Sequence, residues 1–299
     1  MTSGFDSKPL VAVVGYGRVG RVLVRAFVRA GYPVAGVAAR RRPDDRRLNL
    51  FKWLNETGIK VAQRVAGLPD EVDFLVLCVG DSQIGGLAEE IIARDGFKLG
   101  TVVAHTAGAI STKPLEPVRV CGCLPLAWHP LQTFTGDEGP ELLEGVTFGI
   151  DGDPAAVDLG SRIARDLGGV PFRVPPELKT LYHLGGVFAC NLMAALVGIS
   201  QELFREVGMD EKRSLQAVGP LIEVTARNIA RKGVMEAVTG PLKRGDDVTI
   251  ASHLETLKNF PEAAAVYRLL SRSLLAQLTK DEDGSPHTSR LDELLADPD

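Results

Sequence analysis

The sequence predicts an α/β protein: a doubly wound, mostly parallel sheet in the first half, followed by an all-α domain. Three observations predict it. Apolar runs of strand length alternate with amphipathic helix patterns as far as Val174. A glycine-rich turn joins the first such run to the first helix. Beyond Pro175-Pro176 the strand pattern stops and helical periodicities follow.

Taken in order, Leu10–Val14 is an apolar run ended by glycine. In Arg18–Arg29 the apolar residues Val19, Val22, Leu23, Ala26 and Phe27 fall on one helical stripe, and Gly31 stops the helix. Pro33–Ala39 reads as the second strand and Asp44–Glu56 as the second helix. Val72–Val79 is continuously apolar, as in a strand buried on both faces. Gln83–Arg94 is helical again and Thr101–Ala104 is a further strand. Val118–Cys121 and Val146–Ile150 look like strands, Pro154–Leu167 like a helix and Val170–Val174 like an edge strand. The second half reads as helices over Glu177–Val207, Asp210–Lys232, Thr249–Lys258 and Pro261–Thr279. Pro220 should kink or split the second of these, and the polar tail after Lys280 should fray. The expected division is a dinucleotide domain over 1–175 and an all-α substrate and dimerisation domain over 176–299.

Composition narrows the class. The 299 residues are 45% hydrophobic and 24% charged, a soluble globular make-up. The net charge, 34 − 38 = −4, lacks the basic excess of a nucleic-acid binder. The longest nearly apolar stretch, Val187–Ile199, contains Asn191 and reads as too short to cross a bilayer. Met1–Lys8 is polar and shows no export signal, so a cytoplasmic protein is expected. Of Cys78, Cys121, Cys123 and Cys190, only Cys121 and Cys123 are close in sequence, and no second cysteine pair completes a metal set. Buried thiols are expected, with no metal.

Gly15-Tyr16-Gly17-Arg18-Val19-Gly20 is a G-x-G-x-x-G between a strand and a helix. Gly15 suits the tight turn, Gly17 a close approach to a pyrophosphate, and Gly20 the packing of helix on strand. The anion would rest on free N–H groups at the helix N-terminus. This is the pattern of a Rossmann-type domain. Arg40, Arg41 and Arg42 stand where an NAD-preferring site would carry an acid. Guanidinium groups suit a 2′-phosphate, so NADP(H) is expected over NAD(H). Val79 ends the strand Val72–Val79 and Asp81 follows it, and Thr106 and Gly108 follow the strand Thr101–Ala104. They should border the nicotinamide half, although Asp81 could equally cap the following helix.

In the second half, Lys179, His183 and Asn191 share a helical stripe by their spacing. They form either a candidate catalytic face or a buried polar contact that anchors the helix. His129, held extended by Pro130, is a further candidate. Thr239, Lys243 and Arg244 lie in a polar loop that could hold a carboxylate, or simply connect two helices with Asp246 or Thr249 as the cap.

The order of the two domains looks like the 6-phosphogluconate dehydrogenase-like reductases, which include ketopantoate reductase and pyrroline-5-carboxylate reductase. A closer resemblance is to proteins with a Rossmann-like domain followed by a DUF2520 domain. It is carried by Val79-Gly80-Asp81, by His129 to Phe134, by Tyr182-His183 with Asn191, and by Thr239 to Asp246. The resemblance implies NADP-dependent oxidoreduction and supplies no substrate. Ketopantoate reductases are similar in the first interdomain helix, where Asn191 matches their second asparagine. His183 stands at their catalytic lysine and Val187 at their first asparagine. These departures mean that the ketopantoate activity does not transfer. Pairing through the helical domain is what the related reductases imply.

The function expected is an NADPH-dependent reductase of a C=O or C=N in a small, carboxylated substrate, with His183 as proton donor. The alternative is a non-catalytic NADP(H)-binding sensor or scaffold. A methyltransferase fits poorly with the all-α second half and the triple arginine.

Overall fold

The structure is a computed structural model that describes residues 8–39, 45–279 and 286–296. The chain divides into two compact units, Met1–Leu192 and Met193–Asp299. The divide falls inside the long helix that begins at Pro176.

Among its described residues the first unit holds an eight-stranded sheet: β1 (Val11–Val14), β2 (Val34–Ala38), β3 (Val61–Ala62), β4 (Phe74–Leu77), β5 (Val102–His105), β6 (Leu124–Pro130), β7 (Thr147–Gly152) and β8 (Val170–Arg173). The order is β3-β2-β1-β4-β5-β6-β7-β8, parallel throughout except for the β6–β7 pair. The crossovers run both ways from β1. That puts the switch point of an open α/β sheet between β1 and β4, where such folds bind ligands.

Strand alternation sorts the apolar runs onto two faces. Val11, Val13, Phe74 and Val76 pack with α1 (Arg18–Arg29) and with Trp128 and Phe148. Ala12, Val14, Leu75 and Leu77 pack against Ile84 and Ile91, which begin and nearly end the helix over Ile84–Ala93. Both layers are apolar, which is why these strands read as continuous runs.

The elements expected around the first four parallel strands are present. Val118–Cys121 is a correction. It ends a 3-10 helix over Lys113–Cys121, and Pro114 and Pro117 suit a helical turn better than a strand ladder. The strand that replaces it, β6, was masked in the sequence by Pro125 and Pro130, residues that normally argue against a central strand. His129 therefore lies within a strand.

The long helix begins with a 3-10 turn, Pro176–Leu178, and continues as an α-helical segment, Lys179–Val187. A π turn, Phe188–Leu192, follows before the helix resumes at Met193–Glu206. Over Pro176–Glu206 the mean hydropathy of an 18-residue window reaches 1.6, with none of that window buried. The expectation of a stretch too short to cross a bilayer is thus corrected. By length and composition this helix would suffice. Its polar first turns had hidden that length.

The second unit adds helices over Glu211–Lys232, Val234–Ala237, Pro241–Arg244, Asp247–Leu257, Pro261–Leu278 and Pro286–Leu295. Pro220 does not split its helix, which runs unbroken through it. The described part of the tail does not fray. Leu291 and Leu295 of the last helix join Leu242, Ile250, Leu254 and Leu275 in the unit's core. Arg268 caps that helix by donating to the carbonyls of Leu294 and Ala296 at 2.6 and 2.7 Å.

Candidate active site

The glycine turn has the geometry its spacing implies. Gly15 sits at φ +96°, a conformation L side chains rarely adopt, and a Cβ there would strike the Cys78 carbonyl. A Cβ on Gly20 would strike the carbonyl of Gly15, so the helix approaches the turn as closely as it does only because both are glycine. Gly17 faces open space, with no atom within 4 Å of the point a Cβ would occupy. It is also the N-cap of α1 and supplies no side-chain cap, which leaves the first-turn N–H groups for an anion.

A cleft of about 1190 Å³ opens there, bordered by the glycine turn, Phe51, Arg64, Val79, Leu87 and Glu90. Tyr16 is buried and its ring packs on Phe51 at 5.6 Å between centroids. Arg18 lines the same cleft. Val19 packs partly buried against the core layer of α1. An open helix N-terminus behind a glycine that needs no side chain is what a dinucleotide pyrophosphate requires, so these residues fit the cofactor. Arg40 and Arg41 lie outside the described residues. Asp81 is exposed in a short 3-10 turn over Asp81–Gln83 and does not cap the helix that follows. Thr106 Oγ1 donates to the Leu77 carbonyl at 3.4 Å.

Along the same sheet edge, strand register assembles a polar patch. His105 pairs with Ala127, Ala127 with Asp151, and His129 with Gly149. Residues two apart on a strand share a face, so His105, His129 and Asp151 stand together around Ala127 and Gly149. Lys179, Tyr182 and His183, from the first turns of the long helix, cover them. Lys179 is only 1% exposed, with Nζ 3.5 Å from the Gly149 carbonyl and 5.7 Å from the Tyr182 ring centroid. Tyr182 lies on Gly149, and its hydroxyl is 3.3 Å from His129 Nδ1. The rings of His129 and His183 meet edge to face at 5.9 Å. A Cβ on Gly108 would collide with both, so that glycine lets the two imidazoles close on the loop after β5.

Burial sets the charges of this patch. His105 is pushed down to about 4 and is held by backbone on both sides: its Nδ1 accepts from the Ala107 N–H, and its Nε2 donates to the Ser111 carbonyl. It is a neutral brace for its loop. Burial, with Lys179 and then His183 adding repulsion, lowers His129 to about 3. Burial lowers Lys179 to about 8, partly offset by Asp151. Asp151 is raised by its own burial, and its Oδ2 has no hydrogen-bond partner.

Asn191 falls in the π turn and is exposed. An extra residue per turn breaks the α-helical spacing that aligned it with His183. In the same turn Cys190 Sγ lies 2.7 Å from Thr133 Oγ1. Thr239, Lys243 and Arg244 belong to the second unit. Lys243 donates to the Met235 carbonyl at 2.8 Å, and Arg244 lies 4.0 Å from Asp246. Asp246 is the cap of the next helix, accepting from Thr249 N at 3.0 Å. Asp151 was not singled out by sequence, and His105 and Tyr182 were given no role there. For His105 and Asp151 the signal is which strands pair, in which register.

The glycine turn and the parallel sheet are those of a Rossmann-like domain. Residues 5–130 match the Rossmann-like domain and residues 146–274 match the family described as domain of unknown function DUF2520. The two matches follow one another along the chain in the order its motifs suggested. Among solved structures it is similar to a protein from Thermotoga maritima, TM1727, at 25% identity and TM-score 0.67, covering 90% of this chain and 97% of that one. A proposed NADP oxidoreductase from Bacteroides fragilis is similar at 23% identity and TM-score 0.67, covering 89% and 97%. The fold is also shared with a pyrroline-5-carboxylate reductase from Coxiella burnetii, at 17% identity and TM-score 0.57, covering 96% and 99%. Among curated protein sequences, none matches the chain.

Proposed function

We propose that the protein is an NADP(H)-dependent oxidoreductase that reduces the C=O or C=N of a small, carboxylated substrate. The observation that carries this is the alignment along one sheet edge of a glycine-turn cleft with a patch of histidine, lysine and aspartate. When bound, the nicotinamide would supply the hydride. Gly15, Gly17 and Gly20 hold the pyrophosphate, and Arg40 and Arg41 receive the 2′-phosphate. Val79, Asp81, Thr106 and Gly108 border the nicotinamide.

His183 is the proton donor in this reading. It is half-buried beside Gly108, whereas Lys179 is sealed under the sheet face and His129 is held neutral. The test is NADPH oxidation across 2-keto acids and cyclic imines, with NADPH and NADH binding measured separately. Turnover of any member with NADPH supports the reading, and His183→Ala should then lower it about 10²–10⁴-fold with NADPH affinity kept. Tight NADPH binding without turnover favours the sensor reading, which the replacements at His183 and Val187 support.

We also propose a homodimer. Leu181, Leu184, Phe188 and Leu192 of the long helix are exposed, as are Leu215, Leu221, Val224 and Ile229 of the helix over Glu211–Lys232. A second copy of the chain suits the first set better than lipid, because the same helix commits Lys179, Tyr182 and His183 to the sheet. Sedimentation equilibrium should give a dimer at micromolar concentration. A monomer, or a chain that partitions with lipid vesicles, would overturn this.

A further inference from the structure

Tyr182 occupies the centre of the patch, between Gly149, Lys179 and His129. Its ring lies so near Gly149 that a Cβ there would stand 2.5 Å from Cζ and 2.6 Å from the hydroxyl oxygen. Among the described residues the hydroxyl's hydrogen-bond partner is His129 Nδ1, at 3.3 Å. Of that pair the phenol O–H is the stronger donor and the imidazole nitrogen the stronger acceptor, so the hydrogen of Tyr182 goes to Nδ1. Burial pushes Tyr182 up to about 12, so that hydrogen stays in place at neutral pH.

A histidine whose Nδ1 accepts carries its proton on Nε2 when neutral. His129 Nε2 and Cε1 are the ring atoms that a Cβ on Gly108 would meet, each at 2.9 Å. The ionisable groups around the ring are His105 from β5, Asp151 from β7, and Lys179, Tyr182 and His183 from the covering helix.

We propose that Tyr182 is a positioning residue: it locks His129 in the tautomer that bears hydrogen on Nε2 and aims that N–H at the Gly108 loop. There it serves as a neutral donor to a carbonyl or imine acceptor while His183 supplies the proton. The identity of the acceptor rests on the oxidoreductase reading above, whereas the tautomer does not. A neutral imidazole as electrophile leaves the mobile proton to a neighbour, dividing polarisation from proton transfer.

The experiment is ¹⁵N spectroscopy of histidine-labelled full-length protein without substrate, with His129 assigned by the signal lost in His129→Gln. In the native protein, Nδ1 should be pyridine-like, Nε2 pyrrole-like, and neither should titrate between pH 5 and 8. In Tyr182→Phe the ring should become a mixture of tautomers, and its titration should move up toward the ordinary histidine range. In an active assay the same variant should lose up to about 10-fold in kcat, the worth of one hydrogen bond. A pyrrole-like Nδ1 in the native protein, or an unchanged tautomer in Tyr182→Phe, would overturn the proposal. If Tyr182→Phe fails to fold, the native spectrum alone still decides the tautomer. Absence of NADPH binding would defeat the oxidoreductase reading and leave the tautomer result standing.

Discussion

Tyr182 and Gly149 share one space: the phenol ring of the helix residue fills the volume a side chain on the strand residue would need. Gly149 also pairs with His129 across β6 and β7 and offers its carbonyl to Lys179. One strand position thus seats three side chains of the patch. Gly149→Ala should displace Tyr182 and cost about 1–3 kcal/mol, as overpacking does. Thermal unfolding checks the loss, and an unchanged melting temperature would mean the ring has room to shift.

Gly17 has open space around it, so a side chain there is tolerated by the fold. Gly17→Glu would place a carboxylate where the pyrophosphate is expected. Affinity for NADPH should fall by about 100-fold or more, in line with a buried like-charge contact, while the melting temperature stays within a few degrees. Fluorescence titration reads the first and calorimetry the second.

Cofactor choice should follow Arg40 and Arg41. Replacing both with alanine should weaken NADPH binding far more than NADH binding, each charge-assisted contact being worth about 1.5–3 kcal/mol. Equal losses for both cofactors would remove the preference for NADP.

Stability should fall on acidification from neutral pH. His105 and His129 have folded-state values of about 4 and about 3, below the ordinary histidine value of 6.5. Between those limits the unfolded chain binds more protons, so lower pH favours unfolding. The cost is up to about 1.4 kcal/mol per pH unit for each histidine. Urea unfolding at pH 7, 6 and 5 should show the slope, and His129→Gln should reduce it by about one proton.

Lys179 carries the same sign into alkaline solution. Its folded value of about 8 lies below the usual 10.5, so stability should rise between those values. Lys179→Met keeps the volume and removes the buried charge. It should hold or raise the melting temperature, because burial already disfavours the charged ammonium there, while turnover drops. A strong fall in melting temperature would show that Lys179 and Asp151 act as a stabilising pair.

Local chemistry made much of this protein legible in its sequence. A glycine turn needs particular residues at fixed offsets, an amphipathic helix repeats every turn, and a buried parallel strand is apolar throughout. Those rules located β1, β2, β4 and β5, the glycine turn from Gly15 to Gly20, and the helix after it. They failed at β6, because two prolines imitate a loop and only its neighbours on either side make it a strand. They failed again at the tail, whose two buried leucines acquire meaning only against a core supplied by earlier helices. The patch was decided by tertiary structure alone. His105, His129 and Asp151 come from three strands, and a shift of register by one residue would send each to the opposite face. Nor does helical spacing foretell the π turn that takes Asn191 off the His183 stripe. A sequence states which residues are present and their local periodicity. Which of them meet across a sheet depends on the pairing of distant strands, and no local pattern encodes that.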